Sequence, residues 1–287
     1  MISCLFASDL HAEVGKYRKL LDVIDAERPA GVFLGGDLLP EGYPPWHKAD
    51  PALGEFFWEF LVPQLEALRA RLGPQYPETF VIPGNEDRQS EEWFFLEAEN
   101  RGLWHCVHRA RRAIQGFSVF GYAYVPPTPF ALKDWERYDV AREVRPGCVS
   151  PELGWRTVDI AAEELRDRTI AQDLDELAGD ADLSRAILLF HVPPRNTNLD
   201  RASPEWAPRG DEAWDPHVGS IAVRRLIETR QPLLGLHGHV HESARQSGTW
   251  RDRIGRSHLF SAAHGGEELA LVRFDLENLE EASRELL

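Results

Sequence analysis

Short apolar runs recur along the chain and are separated by longer amphipathic segments. Runs of this kind, bounded by Gly, Asp and Asn, predict buried strands. The predicted strands are ISCLFAS, GVFLGG, FVIPG, AILLF and LLGLHG, with one more near residues 113–121. In the C-terminal part, RSHLFSAA followed by ELALVRFDL predicts a closing pair of strands.

The segments between these runs have helical spacing. KYRKLLDVIDAER places Leu20, Leu21 and Ile24 on one face of a helix. Further helices are predicted within residues 52–72, near 90–100 and from about 158 to 178. Alternation of strands and helices is typical of a largely parallel sheet covered by helices, so the sequence predicts an α/β fold.

The chain has no internal repeat, low-complexity tract or Gly/Ser linker, so a single domain over residues 1–287 is expected. Two stretches do not follow the alternating pattern. Residues 122–157 are rich in Pro, Trp and Arg, and residues 192–218 contain Trp206, Trp214 and five prolines. Long irregular connections often form lids over functional sites; the alternative is a surface excursion with its own small aromatic cluster.

Composition excludes several classes of protein. No apolar stretch is long enough for a membrane span, and no basic segment precedes an apolar run at the N-terminus, so we expect a soluble cytoplasmic protein. Three cysteines at unrelated spacings predict neither disulfides nor a CxxC metal site. The net charge of −15 disfavours a nucleic-acid polymer as partner, although HRARRA is a local basic run. Oligomeric state is left open, with a homo-oligomer possible.

Potential metal ligands follow five of the predicted strands, at the C-terminal end of each. Ligand sites form at this edge of an open α/β sheet, so these side chains are expected to converge in one crevice. In an extended chain, residues i and i+2 point the same way, so Asp9 with His11, and His239 with His241, can each face one site. The candidates are Asp9, His11, Asp37, Asn85, His191, His237, His239 and His241.

This set combines carboxylate and amide oxygens with imidazole nitrogens, which suits Mn, Fe, Ni, Co or Zn better than Ca or Mg alone. The candidates are too many for one open site. Two metals roughly 3.5 to 4 Å apart that share a carboxylate accommodate them, and such pairs hydrolyse phosphate esters. Each residue alone also has an ordinary interpretation: Asp9 as a cap, Asp37 and Asn85 as turn residues, and His191 as a core histidine.

The order DLH, GGD, GNED, FHVPP and GHVH resembles the signature of the calcineurin-like metallophosphoesterase superfamily, over residues 9–241. The C-terminal part looks like its branch of small prokaryotic phosphoesterases. The resemblance implies a central β-sandwich flanked by helices and hydrolysis of a phosphodiester or phosphomonoester by a hydroxide that bridges two metals. It also implies that one metal is held by Asp9, His11 and His241 and the other by Asn85, His191 and His239, with Asp37 bridging.

One position departs from this signature, because the superfamily usually has His where this chain has Glu86. Beside two cations a carboxylate is expected to stay ionised, with no proton to give to a leaving group. The enzyme then works without acid help, or His264 supplies the proton, or catalysis is lost. Glu86, Asp87 and His264 are the candidate catalytic residues.

The main hypothesis is therefore a binuclear phosphoesterase acting on a small-molecule phosphate ester. The two irregular stretches would choose the substrate, with Arg195, Arg209 and the tryptophans as candidates for contacting a phosphate or a ring. The alternative is a metal-binding scaffold or interaction protein of the same fold with weak or no catalysis. A nuclease acting on long DNA or RNA is a third hypothesis, which the acidic composition disfavours.

Overall fold

The computed structural model describes residues 1–40, 54–207 and 214–287, and these ranges form two six-stranded mixed sheets. The strands of the first sheet are β1 (Ser3–Ala7), β2 (Gly31–Leu34), β3 (Glu78–Val81), β4 (His105–Cys106), β11 (Ala270–Asp275) and β12 (Asn278–Leu286). They lie in the order β12-β11-β1-β2-β3-β4. β1 to β4 are mutually parallel, whereas β11 and β12 run antiparallel to their neighbours.

The second sheet has a parallel centre and antiparallel edges. Its strands are β5 (Arg111–Ile114), β6 (Phe117–Tyr122), β7 (Ala186–Phe190), β8 (Leu234–His237), β9 (Arg251–Ile254) and β10 (Ser257–Ser261). They lie in the order β5-β6-β7-β8-β10-β9. β6, β7, β8 and β10 are parallel, and β5 and β9 close the edges.

Helices connect the parallel strands and cover the outer faces of both sheets. They are α1 (Val14–Glu27), α2 (Val62–Leu72), α3 (Glu92–Asn100), α4 (Ala162–Asp167), α5 (Ile170–Ala178), α6 (Ile221–Arg230) and α7 (Ser243–Ser247). A π-helical segment, Glu55–Leu61, leads directly into α2. None of the helices in the described ranges is both long and apolar enough to cross a bilayer.

The core has three parts because each central strand is apolar on both faces. In β1, Cys4 and Phe6 pack between the sheets, where residues of both sheets form one cluster. Leu5 and Ala7 point the other way and pack with α1, α2 and α3. A third cluster lies between the second sheet and helices α5 and α6. The helix–sheet–sheet–helix layering confirms the predicted α/β sandwich flanked by helices.

Three local predictions are corrected. The single strand near 113–121 is a hairpin of β5 and β6, which turns at Gln115 and Gly116, both with positive φ. The helix predicted from 158 to 178 is broken at Thr169. The Thr169 side chain accepts a hydrogen bond from the Gln172 amide, and the Gln172 side chain accepts one from the Thr169 amide, which caps α5. The two tail strands do not pair with each other: β10 lies in the second sheet and β11 in the first.

The two irregular stretches are held to each other by Arg145. From 123 to 161, and from 193 to 207 and 214 to 219, the described backbone has isolated bridges and one short 3-10 turn instead of regular elements. Arg145, in the first stretch, donates to the carbonyls of Asp215 and His217 at 2.5 and 2.7 Å. Arg195 donates to the same His217 carbonyl at 2.7 Å.

Candidate metal centre

The loops after five strands meet at one end of the sandwich. β1, β2 and β3 supply ligand candidates from the first sheet, and β7 and β8 supply them from the second. The sequence predicts convergence at the edge of one sheet; the structure places it where two sheets end together. The predicted residues that it brings together are Asp9, His11, Asp37, Asn85, His191, His239 and His241.

Four of these side chains form one group. Ligand atoms of Asp9, His11, Asp37 and His241 all lie within 4.8 Å of one another. His241 Nε2 lies 3.2 Å from Asp9 Oδ1 and 3.4 Å from His11 Nε2. Two carboxylates and two imidazoles around one point form a donor set for a transition-metal cation.

A second group adjoins the first through Asp37. Asn85 Oδ1 lies 3.0 Å from His191 Nε2 and 2.6 Å from His239 Nδ1. His191 Nε2 also lies 3.2 Å from Asp37 Oδ2. Asp37 therefore lies between the two groups, with its carboxylate within 4.8 Å of ligand atoms of the first and 3.2 Å from His191 of the second.

The backbone at the ligands is not extended. Asp9, His11, Asp37 and His239 all have positive φ, between 45° and 71°. A non-glycine residue rarely adopts this left-handed conformation, and such residues concentrate at functional sites. The argument from alternating side chains of a strand is therefore wrong here. Asp9 and His11 do lie in one group, whereas His239 and His241 lie in different groups.

Neighbouring polar atoms fix the orientation of the ligands. His191 Nδ1 bonds the Gly35 carbonyl at 2.7 Å, which leaves Nε2 facing Asn85 and Asp37. Asp9 Oδ2 accepts a hydrogen bond from Ser8 Oγ, and its Oδ1 accepts one from the His239 amide at 3.0 Å. Sequence inspection gives no signal for the Gly35–His191 and Asp9–His239 contacts, since each joins loops from different sheets.

His237, the eighth candidate from the sequence, is fully buried in β8. Its Nδ1 bonds the carbonyls of Phe190 and Val192, both at 3.0 Å. These carbonyls flank His191, so His237 supports the turn that carries a ligand. Burial lowers the pKa of His237 to about 4, so its imidazole is neutral.

Asp87, a catalytic candidate from the sequence, lies behind the ligands and is 1% exposed. Its carboxylate accepts hydrogen bonds from the amides of Gly84, Leu38 and Leu39 at 2.8 to 3.0 Å. Burial and repulsion by the Asp37 carboxylate raise its pKa to about 7, although the amide bonds oppose this. Asp87 thus joins the loop after β2 to the loop after β3, which makes it a positioning residue.

Glu86 and His264 have different surroundings. The Glu86 amide donates to Asp37 Oδ1 at 2.8 Å, and its carboxylate lies 3.5 Å from His11 Nδ1. The next arginine along the chain, Arg88, pairs with Glu91 at 3.3 Å. His264 pairs with Glu268 at 3.1 Å, on a half-buried loop beyond His241.

The residues proposed to contact substrate do not all lie beside the ligand cluster. Trp206 and Trp214 line a cleft that opens from the ligand cluster. Arg195 does not line this cleft. Its guanidinium binds the Asp215 carboxylate and the His217 carbonyl, and these bonds tie one loop together. Arg209 lies outside the described residues.

Opposite charges set the protonation of the cluster. Burial raises the pKa values of Asp9 and Asp37, but neighbouring imidazoles outweigh it and hold both below the ordinary value. Burial lowers the pKa of an imidazole, yet the Asp37 carboxylate raises that of His191 to about 9, and Asp9 raises that of His241 to about 9. Burial and the charge of His191 lower the pKa of His239 to about 3.

Metal affinity is expected to rise with pH up to about 9. Below that pH, His191 and His241 carry protons in the metal-free protein, and a cation must displace them to bind. Loading both groups with Mn²⁺ at pH 7 is therefore expected to release about two protons. Calorimetry in two buffers of different ionisation enthalpy measures this number. Equal affinity at pH 6.5 and 8.5, with no proton release, would contradict the assignment of these ligands.

The residues present fit a divalent-metal site. Asn85 Oδ1 and two imidazole nitrogens converge within 3.0 Å, and in the other group two imidazole nitrogens approach to 3.4 Å. Such a cluster of electron-pair donors, with buried carboxylates at its centre, is stabilised by positive charge. The side chains of His11 and His241 are 10% and 30% exposed, so the cluster is open on the side of the cleft.

Two solved structures share the fold of this chain. One solved crystal structure aligns with 99% of this chain and 98% of its own, at a TM-score of 0.58 and 17% identity. The crystal structure of the protein TT1561 of Thermus thermophilus aligns over 99% and 98%, at a TM-score of 0.52 and 19% identity. At this identity the likeness establishes the fold alone.

The sequence model described as calcineurin-like phosphoesterase matches residues 2–243, a range that includes every ligand candidate. The order of the ligands along the chain, their convergence at the end of a two-sheet sandwich and this match agree with one another. The protein belongs to the calcineurin-like phosphoesterase family.

Proposed function

We propose that the protein hydrolyses a phosphomonoester or phosphodiester of a small molecule with the help of two divalent cations. The observation that carries the proposal is the position of Asp37, whose carboxylate lies within 4.8 Å of ligand atoms of the first group and 3.2 Å from His191 of the second. When bound, two cations lower the pKa of water and neutralise charge on the phosphoryl oxygens. The identity of the cations stays open among Mn, Fe, Ni, Co and Zn.

The chain contributes a rigid frame for this chemistry. Asp9, His11 and His241 would hold one cation and Asn85, His191 and His239 the other, with Asp37 shared. The buried ligands, Asp9, Asp37, Asn85 and His191, lie towards the sheets, whereas three histidines are half-buried and border the open side. A phosphate ester would therefore approach past His11, His239 and His241, with its leaving group directed into the cleft.

Glu86 has a defined role in this proposal. Its carboxylate faces His11 Nδ1 at 3.5 Å, while His11 Nε2 points into the ligand cluster. Carboxylate, imidazole and metal in this order form an arrangement in which the carboxylate orients the imidazole and increases its basicity. Glu86 is thus a positioning residue for a ligand, and a proton donor is not required where the leaving group departs as a stable anion.

Glu86→Gln is expected to weaken Mn²⁺ binding about tenfold, because loss of such an outer carboxylate typically costs about ten- to a hundredfold. Competition with a fluorescent chelator measures the affinity, and urea unfolding checks that the fold is retained. Glu205→Gln is the matched control, since it removes another cleft carboxylate that is not paired with a ligand histidine. Unchanged Mn²⁺ affinity in Glu86→Gln would remove this role.

Glu86→His tests the competing interpretation, in which the chain lacks only a proton donor. On that interpretation, hydrolysis of esters with poor leaving groups rises in Glu86→His. We expect it to stay equal or fall, because His11 loses its carboxylate.

The proposed function is tested by elemental analysis of the purified protein together with hydrolysis of aryl phosphate mono- and diesters in added Mn²⁺. Wild type is expected to bind two metal ions per chain and to turn over at least one of the two ester types. Asn85→Ala is expected to lose about one ion and at least about a hundredfold in rate. Equal rates in wild type and Asn85→Ala would discard the assigned site.

The alternative, a metal-binding scaffold without turnover, predicts a different result in the same experiment. Two ions would bind, and neither ester would be hydrolysed. The completeness of the ligand set favours the enzyme, since all seven metal-ligand positions that the resemblance implies are occupied by the expected donors.

A further inference from the structure

A cleft of about 320 Å³ opens directly from the candidate metal centre. Its inner end is formed by Asn85, Glu86, His239 and His241, so a group in the cleft lies next to the ligand cluster. Its outer walls come from both irregular stretches and are largely apolar. We call this space the aromatic cleft; its apolar walls are Pro126, Pro127, Pro129, Phe130, Pro146, Trp206, Trp214 and Val218.

Two large aromatic rings stand at the cleft wall without being buried. Phe130 and Trp206 are 39% and 51% exposed, and their rings meet edge to face with centroids 5.6 Å apart. Exposed aromatic surface beside a polar site is typical of ligand pockets, where few polar groups fix orientation and apolar walls give affinity. The pair presents two ring surfaces to a bound group.

The walls of the cleft are held in place before any ligand arrives. Arg145 ties the two irregular stretches together through the His217 carbonyl, and Arg195 binds the same carbonyl from within the second stretch. On the first wall, Thr128 donates from its amide and its hydroxyl to the buried Glu136, at 2.8 and 2.5 Å. Glu136 is in turn paired with the buried Lys133 at 2.6 Å. Binding therefore costs little ordering of the protein.

The charge of the cleft favours an uncharged group. Among its described lining residues Arg145 is the single Lys or Arg, and its guanidinium already donates to two carbonyls. Glu86, Glu205 and Glu242 also line the cleft. A second phosphate or a polyanion would lie among carboxylates, whereas an apolar ring would meet Phe130 and the tryptophans.

We propose that the aromatic cleft binds the uncharged aromatic or bulky apolar group of a phosphate ester whose phosphoryl group lies at the metal centre. This rests on the proposed function and names its substrate class. The volume suits one or two rings and is at the lower end of the range for small-molecule pockets. Phe130 and Trp206 are its specificity-determining residues.

The test compares two inert phosphonates, because neither has a leaving group whose acidity could confuse binding with chemistry. Calorimetry on the Mn²⁺-loaded protein measures the Kd of phenylphosphonate and of methylphosphonate. Wild type is expected to bind phenylphosphonate at least about tenfold more tightly, because a ring is buried against aromatic walls. Phe130→Ala and Trp206→Ala are each expected to reduce this preference at least about threefold and to leave methylphosphonate binding unchanged.

Trp93→Ala is the matched control, since Trp93 is 49% exposed on α3 and does not line the cleft. It is expected to keep the wild-type preference. Equal binding of both phosphonates by wild type, or an unaltered preference in both cleft variants, overturns the proposal. Phenylphosphonate preference without hydrolysis of any ester would overturn the proposed function and support the cleft assignment.

Discussion

Replacing Asp37 by alanine is expected to lower phosphate-ester hydrolysis at least about a thousandfold and to reduce bound metal to below one ion per chain. Asp37 is 1% exposed and lies between the two groups, within 4.8 Å of ligand atoms of one and 3.2 Å from His191 of the other. Its removal therefore weakens both sites at once. Removal of a ligand that belongs to one group alone would leave the other group able to hold its cation.

Asp37→Asn separates the loss of charge from the loss of a side chain. The amide keeps an oxygen that can accept the hydrogen bond from the Glu86 amide, so the loop should remain in place. We expect Asp37→Asn to fold like wild type and still to lose metal and activity. Asp182→Ala, an exposed carboxylate at the other end of β7, is the control and should change neither. Two ions and a rate within about tenfold of wild type in Asp37→Asn would show that Asp37 is not shared.

Gly84→Ala is expected to abolish metal binding and to lower the free energy of unfolding by about 1–3 kcal/mol. A Cβ at Gly84 would lie 2.2 Å from Asp37 Oδ1 and 2.3 Å from the Asp37 backbone nitrogen. Backbone cannot yield as a flexible side chain can, so the loops after β2 and β3 would have to separate. That separation would break the bond from the Gly84 amide to Asp87.

Urea unfolding in chelator measures the stability of Gly84→Ala apart from any metal, and elemental analysis measures metal content. Gly15→Ala is the matched control, because a Cβ at Gly15 would meet nothing within 4 Å. It should retain stability and metal. Wild-type stability and two bound ions in Gly84→Ala would mean that the loops are less tightly fixed than the contacts indicate.

Much of the metal centre follows from the sequence because of a simple geometric rule. Parallel strands end at the same edge, so ligands at strand ends gather even when they are far apart along the chain. Asp9 and His241 are separated by most of the chain and still lie in contact. The rule needs no knowledge of which sheet each strand joins, and for that reason the convergence was predictable while the presence of two sheets came only from the family resemblance.

Other features depend on contacts that no local pattern encodes. The role of Asp87 requires the amides of Leu38 and Leu39 to lie opposite Gly84, which is a property of two loops together. The pairing of Phe130 with Trp206 joins two irregular stretches in the same way. By contrast, the break at Thr169 has a readable signal, since Thr followed three residues later by Gln is a capping box.

The ligands come from both sheets, and this has a consequence for the stability of the molecule. Cations held jointly by Asp37 of the first sheet and His191 of the second would act as cross-links between the two halves of the sandwich. The same ions would offset the cost of the left-handed backbone at four ligands. In the metal-free protein, cohesion at this end then depends on interlayer packing and hydrogen bonds alone, so chelation should loosen the active-site end before it affects the opposite one.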